Sequence, residues 1–191
     1  MRRQLAAAVL VLLGLTVLSG AAYPLLTTAI AQAAFGHQAD GSLVEVEGRI
    51  VGSSLLGQSF DGNEWFHPRP SSAGTEGYDA SASGASNLGP TNPALLKAVA
   101  ARIAEYRREN GLPRDAKVPV DAVTGSGSGL DPAISVANAR IQAVRVARAR
   151  GLDPALVLEL VDRHTIRRAF GVLGEDAVNV LQLNLALRKQ R

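Results

Sequence analysis

The sequence predicts an α+β protein with a single N-terminal transmembrane helix followed by one mixed α/β soluble domain. Three observations carry that prediction. From Leu5 to Phe35 no charged residue occurs, and a helix of that length, rising about 1.5 Å per residue, exceeds the roughly 30 Å hydrocarbon core of a bilayer. The rest of the chain alternates capped, helix-period segments with short strand-like ones. The 191 residues include no cysteine, so the soluble part must be held by an ordinary core, and thiolate chemistry and Cys-built zinc sites are excluded.

Hydropathy and charge divide the chain into a cytoplasmic N-terminus (1–4), a transmembrane helix (5–35), a juxtamembrane linker (36–48) and an extracytoplasmic α/β domain (49–191). A cleaved signal peptide is the competing reading, because Arg2 and Arg3 form an n-region and Ala31-Gln32-Ala33 resembles a cleavage site. The apolar run is much longer than the about 7–15 residues of a signal core, which favours a retained anchor in membrane lipid. Arg2 and Arg3 precede the run and no Lys or Arg follows it before Arg49. The positive-inside rule therefore places the N-terminus in the cytoplasm and the domain outside. Pro24 lacks a backbone donor and predicts a kink near Tyr23. Ala7, Gly14, Ala21 and Thr28 recur on nearly one face. Gly14 and Ala21 are the packing positions such a seam would offer a partner helix, although alanine is abundant throughout the segment.

Within the linker Leu43–Val46 reads as a short strand, and beyond it Ile50–Leu56 reads as another. Residues 57–93 are poor in aliphatics and rich in Gly, Ser, Asn and Pro, yet Trp65, Phe66 and Tyr78 predict order, since such rings bury against something. Asn92-Pro93 marks a helix start, Leu95, Leu96, Val99 and Ile103 supply its apolar face, and Gly111 its stop. Val118–Thr124 reads as a strand entering a Gly-Ser turn. Ser135 caps a helix ending near Arg150-Gly151, and Asp153-Pro154 opens another. Val178–Leu187 alternates as a strand would, with a short helix as the alternative for its second half.

Several chemistries are excluded or weak. With Arg2 and Arg3 set aside, Lys and Arg nearly balance the 17 Asp and Glu, so the domain lacks the footprint of a nucleic-acid binder. No phosphate-binding Gly-x-x-x-x-Gly-Lys sequence is present. A nucleophile elbow is missed by one position at Gly84-Ala85-Ser86-Asn87-Leu88-Gly89. The three histidines, His37, His67 and His164, lie in a linker, a Pro-rich turn and a charged helix, which makes a catalytic base or a zinc site improbable. Arg140, Arg145, Arg148 and Arg150 read as a solvated face with Ile141, Val144 and Ala147 packing inward. The strongest signal is a pair of loops, Ser83–Pro93 and Thr124–Pro132, each leading towards a capped helix. Such loops can present backbone N–H groups and hydroxyls to an anion at a helix N-terminus, but in an exported domain they read rather as tight turns closed by Gly, Ser, Asn and Asp or as a surface for protein contact.

Over essentially its whole length the chain resembles the C subunit of the bacterial Kdp potassium-transporting ATPase. The resemblance rests on Gly52–Phe60, on Phe66-His67-Pro68-Arg69-Pro70-Ser71, on the Ser83–Pro93 loop, on Pro119–Ser135 and on Val178–Leu187, in that order after a single apolar helix. Ala85, Gly125, Ala133 and Gln182 depart from the family's usual Gly, Ala, His and Glu. The resemblance implies an assembly in which a channel-like A subunit carries potassium and a P-type B subunit hydrolyses ATP. It also implies a small F subunit, and a C subunit that is required but not itself catalytic. ATP and potassium are then used by the complex, with no cofactor bound directly by this chain and no nucleic acid as partner.

The family has been described as a catalytic chaperone raising the ATP affinity of the P-type subunit. ATP is cytoplasmic, whereas the charge flanks place the Ser83–Pro93 loop outside, so bracing the A subunit or covering its potassium entrance is physically simpler. The partner-contact residues expected on this basis are Arg69, Ser86, Asn87, Asn92, Asp121, Ser128 and Asp131, with Gly14 and Ala21 for transmembrane packing. The alternative is a membrane-anchored periplasmic hydrolase or ligand-binding protein.

Overall fold

The computed structural model describes residues 1–190, and the chain divides into two compact units, Met1–Val51 and the part from Gly52 onward. In the first unit α1 (Arg2–Val17) passes through a π-helical turn (Leu18–Ala22) into α2 (Tyr23–Ala39). Pro24 explains the turn. Its ring crowds the carbonyl one turn earlier and it offers no N–H, and a widened turn relieves both defects. The Thr27 hydroxyl donates to the Tyr23 and Pro24 carbonyls at 3.0 Å each, so this polar side chain is satisfied within its own helix. The kink expected at Tyr23-Pro24 thus takes the form of a π turn. A second irregularity lies at Phe35 (φ −140, ψ 41), after which the helix runs on to Ala39, past the end that hydropathy predicts. Within the juxtamembrane stretch the expected strand at Leu43–Val46 is present as β1, which pairs with β2 (Arg49–Ser53). Among the described residues, Arg2–Ala39 is the one helix long and apolar enough to cross a membrane, with a mean hydropathy of 2.3 and none of it buried.

The second unit is built on α4 (Val136–Arg150), α5 (Pro154–Arg163) and α6 (Val180–Arg188), with α3 (Pro93–Glu109) at its periphery. Each helix has the cap its sequence provides. Asn92, Ser135, Asp153 and Asn179 accept backbone N–H groups at 2.8–3.1 Å, satisfying donors a helix start leaves open. Gly151 ends α4 at φ +65, the left-handed geometry glycine adopts without strain. A three-stranded antiparallel sheet, ordered β3 (Ala133–Ser135), β5 (Ala177–Asn179), β4 (Thr165–Ile166), sets the helix starts. β3 and β5 pair Ile134 with Val178 and run straight into α4 and α6. Their capping residues, Ser135 and Asn179, are therefore the last residues of two paired strands, which fixes where both helices begin.

The core joins Phe66, Ile134 and Val178 to Ala139, Ala143, Val146 and Ala147 of α4, Val157, Leu160 and Val161 of α5, and Val180, Leu183 and Leu187 of α6. Alanines on α4 let α5 approach closely, and each large aliphatic side chain so buried stabilises the unit by about 1.5–3 kcal/mol. By contrast α3 buries only Tyr106.

Four expectations are corrected. Val118–Thr124 is not a strand but a 3₁₀ turn at Val120–Ala122. Its Asp121 carboxylate accepts from the Ser135 N–H, the Ser135 hydroxyl and the Asn138 amide at 2.8–3.0 Å, which aims the segment at the start of α4. Val178–Leu187 is strand only to Asn179 and helix thereafter, since an alternating run of aliphatics also places Val180, Leu183 and Leu187 on one helical face. The Ile50–Leu56 strand stops at Ser53, whose hydroxyl and carbonyl accept from Leu55 and Leu56 and turn the chain. On α4 the expected faces are partly exchanged, because Arg145 is buried and Val144 is exposed.

Candidate partner-contact surface

The irregular segment from Gly57 to Asn92 has few aliphatics to bury, so polar side chains hold it. Asn184, buried on α6, accepts the Phe66 N–H at 2.9 Å and donates to the Phe66 carbonyl at 3.0 Å. Gln142, buried on α4, does the same for His67, at 2.7 and 3.0 Å. Each amide thus replaces a neighbouring strand for one residue, and between them Phe66 drops into the core. Asn138 continues the network, accepting from Gln142 at 2.9 Å and from the Tyr106 hydroxyl at 2.8 Å. Arg145 completes it with neutral acceptors, the Asn63 carbonyl at 2.7 Å, Gln142 Oε1 at 2.9 Å and Asn110 Oδ1 at 3.2 Å. Desolvation draws the Arg145 pKa below the ordinary arginine value, opposed by the Glu109 carboxylate. Burial raises the Tyr106 pKa, helped by Asp121.

A second set of bonds fastens the two Gly/Ser loops to this frame. The Arg69 guanidinium pairs with Asp131 at 2.9 Å and donates to the Gly125 carbonyl at 3.1 Å. Asp131 also accepts from the Ala133 N–H at 3.0 Å. The Ser71 hydroxyl donates to the Gly129 carbonyl and accepts from Tyr78 N–H, and the Tyr78 hydroxyl donates to the Arg69 carbonyl. That burial pushes the Tyr78 phenol up to about 12. The loops then meet directly, with Gly84 N–H and the Ser83 hydroxyl both donating to the Ser128 carbonyl at 2.8 and 2.9 Å. At Gly129 (φ +68) a Cβ would lie 2.5 Å from the Gly84 carbonyl oxygen, so only glycine permits this approach.

The loops enclose an open groove of about 290 Å³ lined by Ala85, Ser86, Asn87, Leu88, Leu95 and residues Thr124 to Gly127. The residues expected at a contact surface divide accordingly. Arg69, Asn92, Asp121, Ser128 and Asp131 are engaged inside the unit, in the pair, cap and turn bonds given above and in the Ser128 hydroxyl's acceptance of the Leu130 N–H at 3.1 Å. Ser86 and Asn87 are exposed, line the groove, and among the described residues their side chains have no hydrogen-bond partner. Leu88 and Leu96 lie exposed, Leu88 in the groove and Leu96 beside its Leu95. Gly14 and Ala21 are exposed on the apolar helix, and a Cβ at Gly14 would meet nothing within 4 Å.

No histidine lines the groove at Ser86. The His67 ring bonds the Gly62 carbonyl and the His164 ring that of Leu160, both at 2.8 Å. Among the described residues, no imidazole therefore stands beside Ser86 in the groove. Sequence reasoning missed Gln142, Asn184, Asn138 and Arg145 as the frame. Their signal was polar side chains at positions of the helix period that also carry Ala139, Val146 and Leu183.

A sequence profile of the family described as "K+-transporting ATPase, c chain" matches residues 5–189. The "Potassium-transporting ATPase KdpC subunit" of Mycobacterium tuberculosis (strain H37Rv) is 59% identical over 187 residues, 98% of each chain. The subunit so named in Sorangium cellulosum is 59% identical over 183 residues, 94% of each. That of Rhodospirillum rubrum is 54% identical over 188 residues, 98% of this chain and 96% of the relative. Similarity of that level along nearly the whole length, from the apolar helix to the end of α6, shows that this chain belongs to the KdpC family of K+-transporting ATPase c chains.

Proposed function

We propose that the chain is a non-catalytic accessory subunit of a high-affinity, ATP-driven potassium uptake complex in the bacterial inner membrane. Membership of the KdpC family over residues 5–189 is the observation that carries this reading. The apolar helix fits a membrane anchor, and Arg2 and Arg3 at its start favour a cytoplasmic N-terminus with the globular unit outside. The partners are a channel-like A subunit, a P-type B subunit that splits ATP and a small F subunit. From outside, the globular unit cannot meet cytoplasmic ATP. It acts by bracing the channel-like subunit, and its loop groove with Ser86, Asn87 and the exposed Leu88 and Leu96 supplies polar and apolar contacts for that purpose.

Purification of the complex with and without the chain tests the reading. Potassium-stimulated ATP hydrolysis should be lost without it and return when the full-length chain is added back, while the chain alone should hydrolyse neither ATP nor simple esters. ATP hydrolysis by the chain alone, or full activity of a complex lacking it, would overturn the proposal.

A further inference from the structure

The strands β4 and β5 are joined by residues 167–176, which form a hairpin that serves neither the core nor the loop groove. Ala169 and Leu173 exchange both backbone bonds at 2.9 Å around three residues, and within them the Val172 N–H donates to the Ala169 carbonyl at 3.2 Å, closing a turn whose central residues are Phe170 (φ +54) and Gly171 (φ +76). This is the hairpin turn that asparagine or glycine usually opens. A phenylalanine in the left-handed region is a genuine outlier for so bulky a residue.

Tyr78 is also left-handed, at φ +58, but its N–H and hydroxyl are both bonded inside the unit. Phe170 has no such return, being 93% exposed. Val172, Leu173 and Ile166 are exposed beside it. The tip is nevertheless ordered, because the Asp176 carboxylate accepts from the Arg168 N–H and pairs with the Arg167 guanidinium, both at 3.0 Å. A strained, pre-formed apolar point is thus held away from the body of the unit.

We propose that this tip inserts into the headgroup and upper acyl region of the bilayer that holds the apolar helix, a second, interfacial attachment resting on the membrane-anchor reading above. Two features favour lipid over a protein partner. The three apolar side chains Phe170, Val172 and Leu173 of the narrow turn, with Ile166 exposed on the strand leading to it, fall far short of the roughly 20–30 residues a stable protein interface takes from each side. They suffice for a wedge reaching about 5–10 Å into a leaflet. The charges at its base match a phospholipid headgroup, with the exposed Arg168 guanidinium, which lies in the field of the Asp176 carboxylate but forms no close ion pair among the described residues, suited to the phosphate and the exposed Glu175 to the headgroup ammonium. Since Arg167 and Arg168 balance Glu175 and Asp176 in number, insertion is apolar in origin and depends little on salt. Only the stretch between Ala39 and Gly52 joins the apolar helix to the unit that carries the tip, so the tip is tethered to the bilayer that holds the helix.

The test uses the full-length chain in vesicles of phosphatidylethanolamine and phosphatidylglycerol, with its one tryptophan removed as Trp65→Phe and an indole introduced as Phe170→Trp. Emission should shift to the blue and be quenched by lipids brominated high on the acyl chain, with little change on raising salt. Adding Phe170→Asp in place of the indole variant, with the indole moved to Val172→Trp, should abolish that quenching while the circular dichroism stays native. Indole emission open to aqueous iodide and indifferent to brominated lipid would overturn the proposal. So would shielding that appears only when the other subunits are present, which would assign the tip to a protein. A Tyr23→Trp variant separates the two readings. Were it also unquenched by brominated lipid, the membrane anchor would fail; were it quenched while the tip was not, only the interfacial attachment would fail.

Discussion

The two sides of the globular unit solve the same problem with different means. On the α4–α5–α6 side, aliphatic side chains meet in a continuous cluster, and burial of apolar surface holds the elements with no need for directional bonds. On the side of the loops and α3, only Phe66, Ala73, Tyr106, Val123 and Leu130 are buried apolar residues. Here the backbone is held by hydrogen bonds from Gln142, Asn184, Arg69 and Ser71. Apolar packing tolerates substitutions that keep volume, whereas a bidentate amide fixes one backbone conformation and no other. The difference teaches why an irregular segment can display a defined groove: the helical core supplies stability, and polar side chains rooted in that core dictate shape.

The largest effect expected from this comparison sits where the two means meet on α6. Leu183→Ala removes buried aliphatic volume and should cost about 3 kcal/mol. Asn184→Leu keeps the number and branching of the side-chain heavy atoms but leaves the buried Phe66 N–H and carbonyl without partners. At about 1–3 kcal/mol per orphaned group, with some misfit of the branched side chain, the cost should reach about 4 kcal/mol. Thermal unfolding of the full-length variants in detergent measures both. A smaller loss for Asn184→Leu than for Leu183→Ala would mean that the polar frame is secondary to packing.

Alkaline pH should single out the polar side, because Tyr106 and Tyr78 belong to it and the helical core cluster contains no titrating group. Burial raises both phenols, Tyr78 to about 12 and Tyr106 further, reinforced by the Asp121 carboxylate. The folded-state values lie above the unfolded value of 10.0, so the stability they contribute is complete below that pH and is lost as pH rises towards the folded values. Ionised Tyr106 could no longer donate to Asn138. For this residue, only 8% exposed, the loss approaches about 1.4 kcal/mol per pH unit. Tyr106→Phe should flatten the stability profile above about pH 10 by one proton's worth of slope, leaving the slope due to Tyr78. An unchanged slope in urea titrations would remove Tyr106 from the frame.

The helices were the legible part. Those of the apolar side announce themselves through Ser135 and Asp153-Pro154 and α3 through Asn92-Pro93, caps that are local chemistry readable without the fold, and the apolar helix through the absence of charge from Leu5 to Phe35. Val178–Leu187 was ambiguous because its aliphatics satisfy both periods, and only the Asn179 cap decides between them. The polar side was legible in composition but not in geometry. The two loops were singled out from Gly, Ser and Asn content, yet nothing local shows that Ser128 meets Gly84 or that Arg69 reaches Asp131. Arg145 was assigned to a solvated face because arginine ordinarily lies there. Its burial depends on acceptors at Asn63 and Asn110 that are distant in sequence.

The smallest effect on stability is expected in the groove itself, and there the comparison can be sharpened into a separation of fold from function. Asp131 holds Arg69 and the Ala133 N–H, so Asp131→Ala should loosen the second loop and lower activity of the complex through folding. Ser86 and Asn87 lie on the same groove with no side-chain bonds among the described residues, so Ser86→Ala should leave unfolding within about 0.5 kcal/mol of the parent. Asn87→Gly should do likewise, since φ +52 at Asn87 is a conformation glycine adopts freely. If the groove contacts the channel-like subunit, the double variant should fold as the parent does yet reduce potassium-stimulated ATP hydrolysis and the yield of chain retained on the purified complex. Comparing retention and unfolding for the double variant with those for Asp131→Ala decides the matter. Native stability with native retention and activity would assign Ser86 and Asn87 to solvent, and the contact surface would have to be sought on another face of the unit.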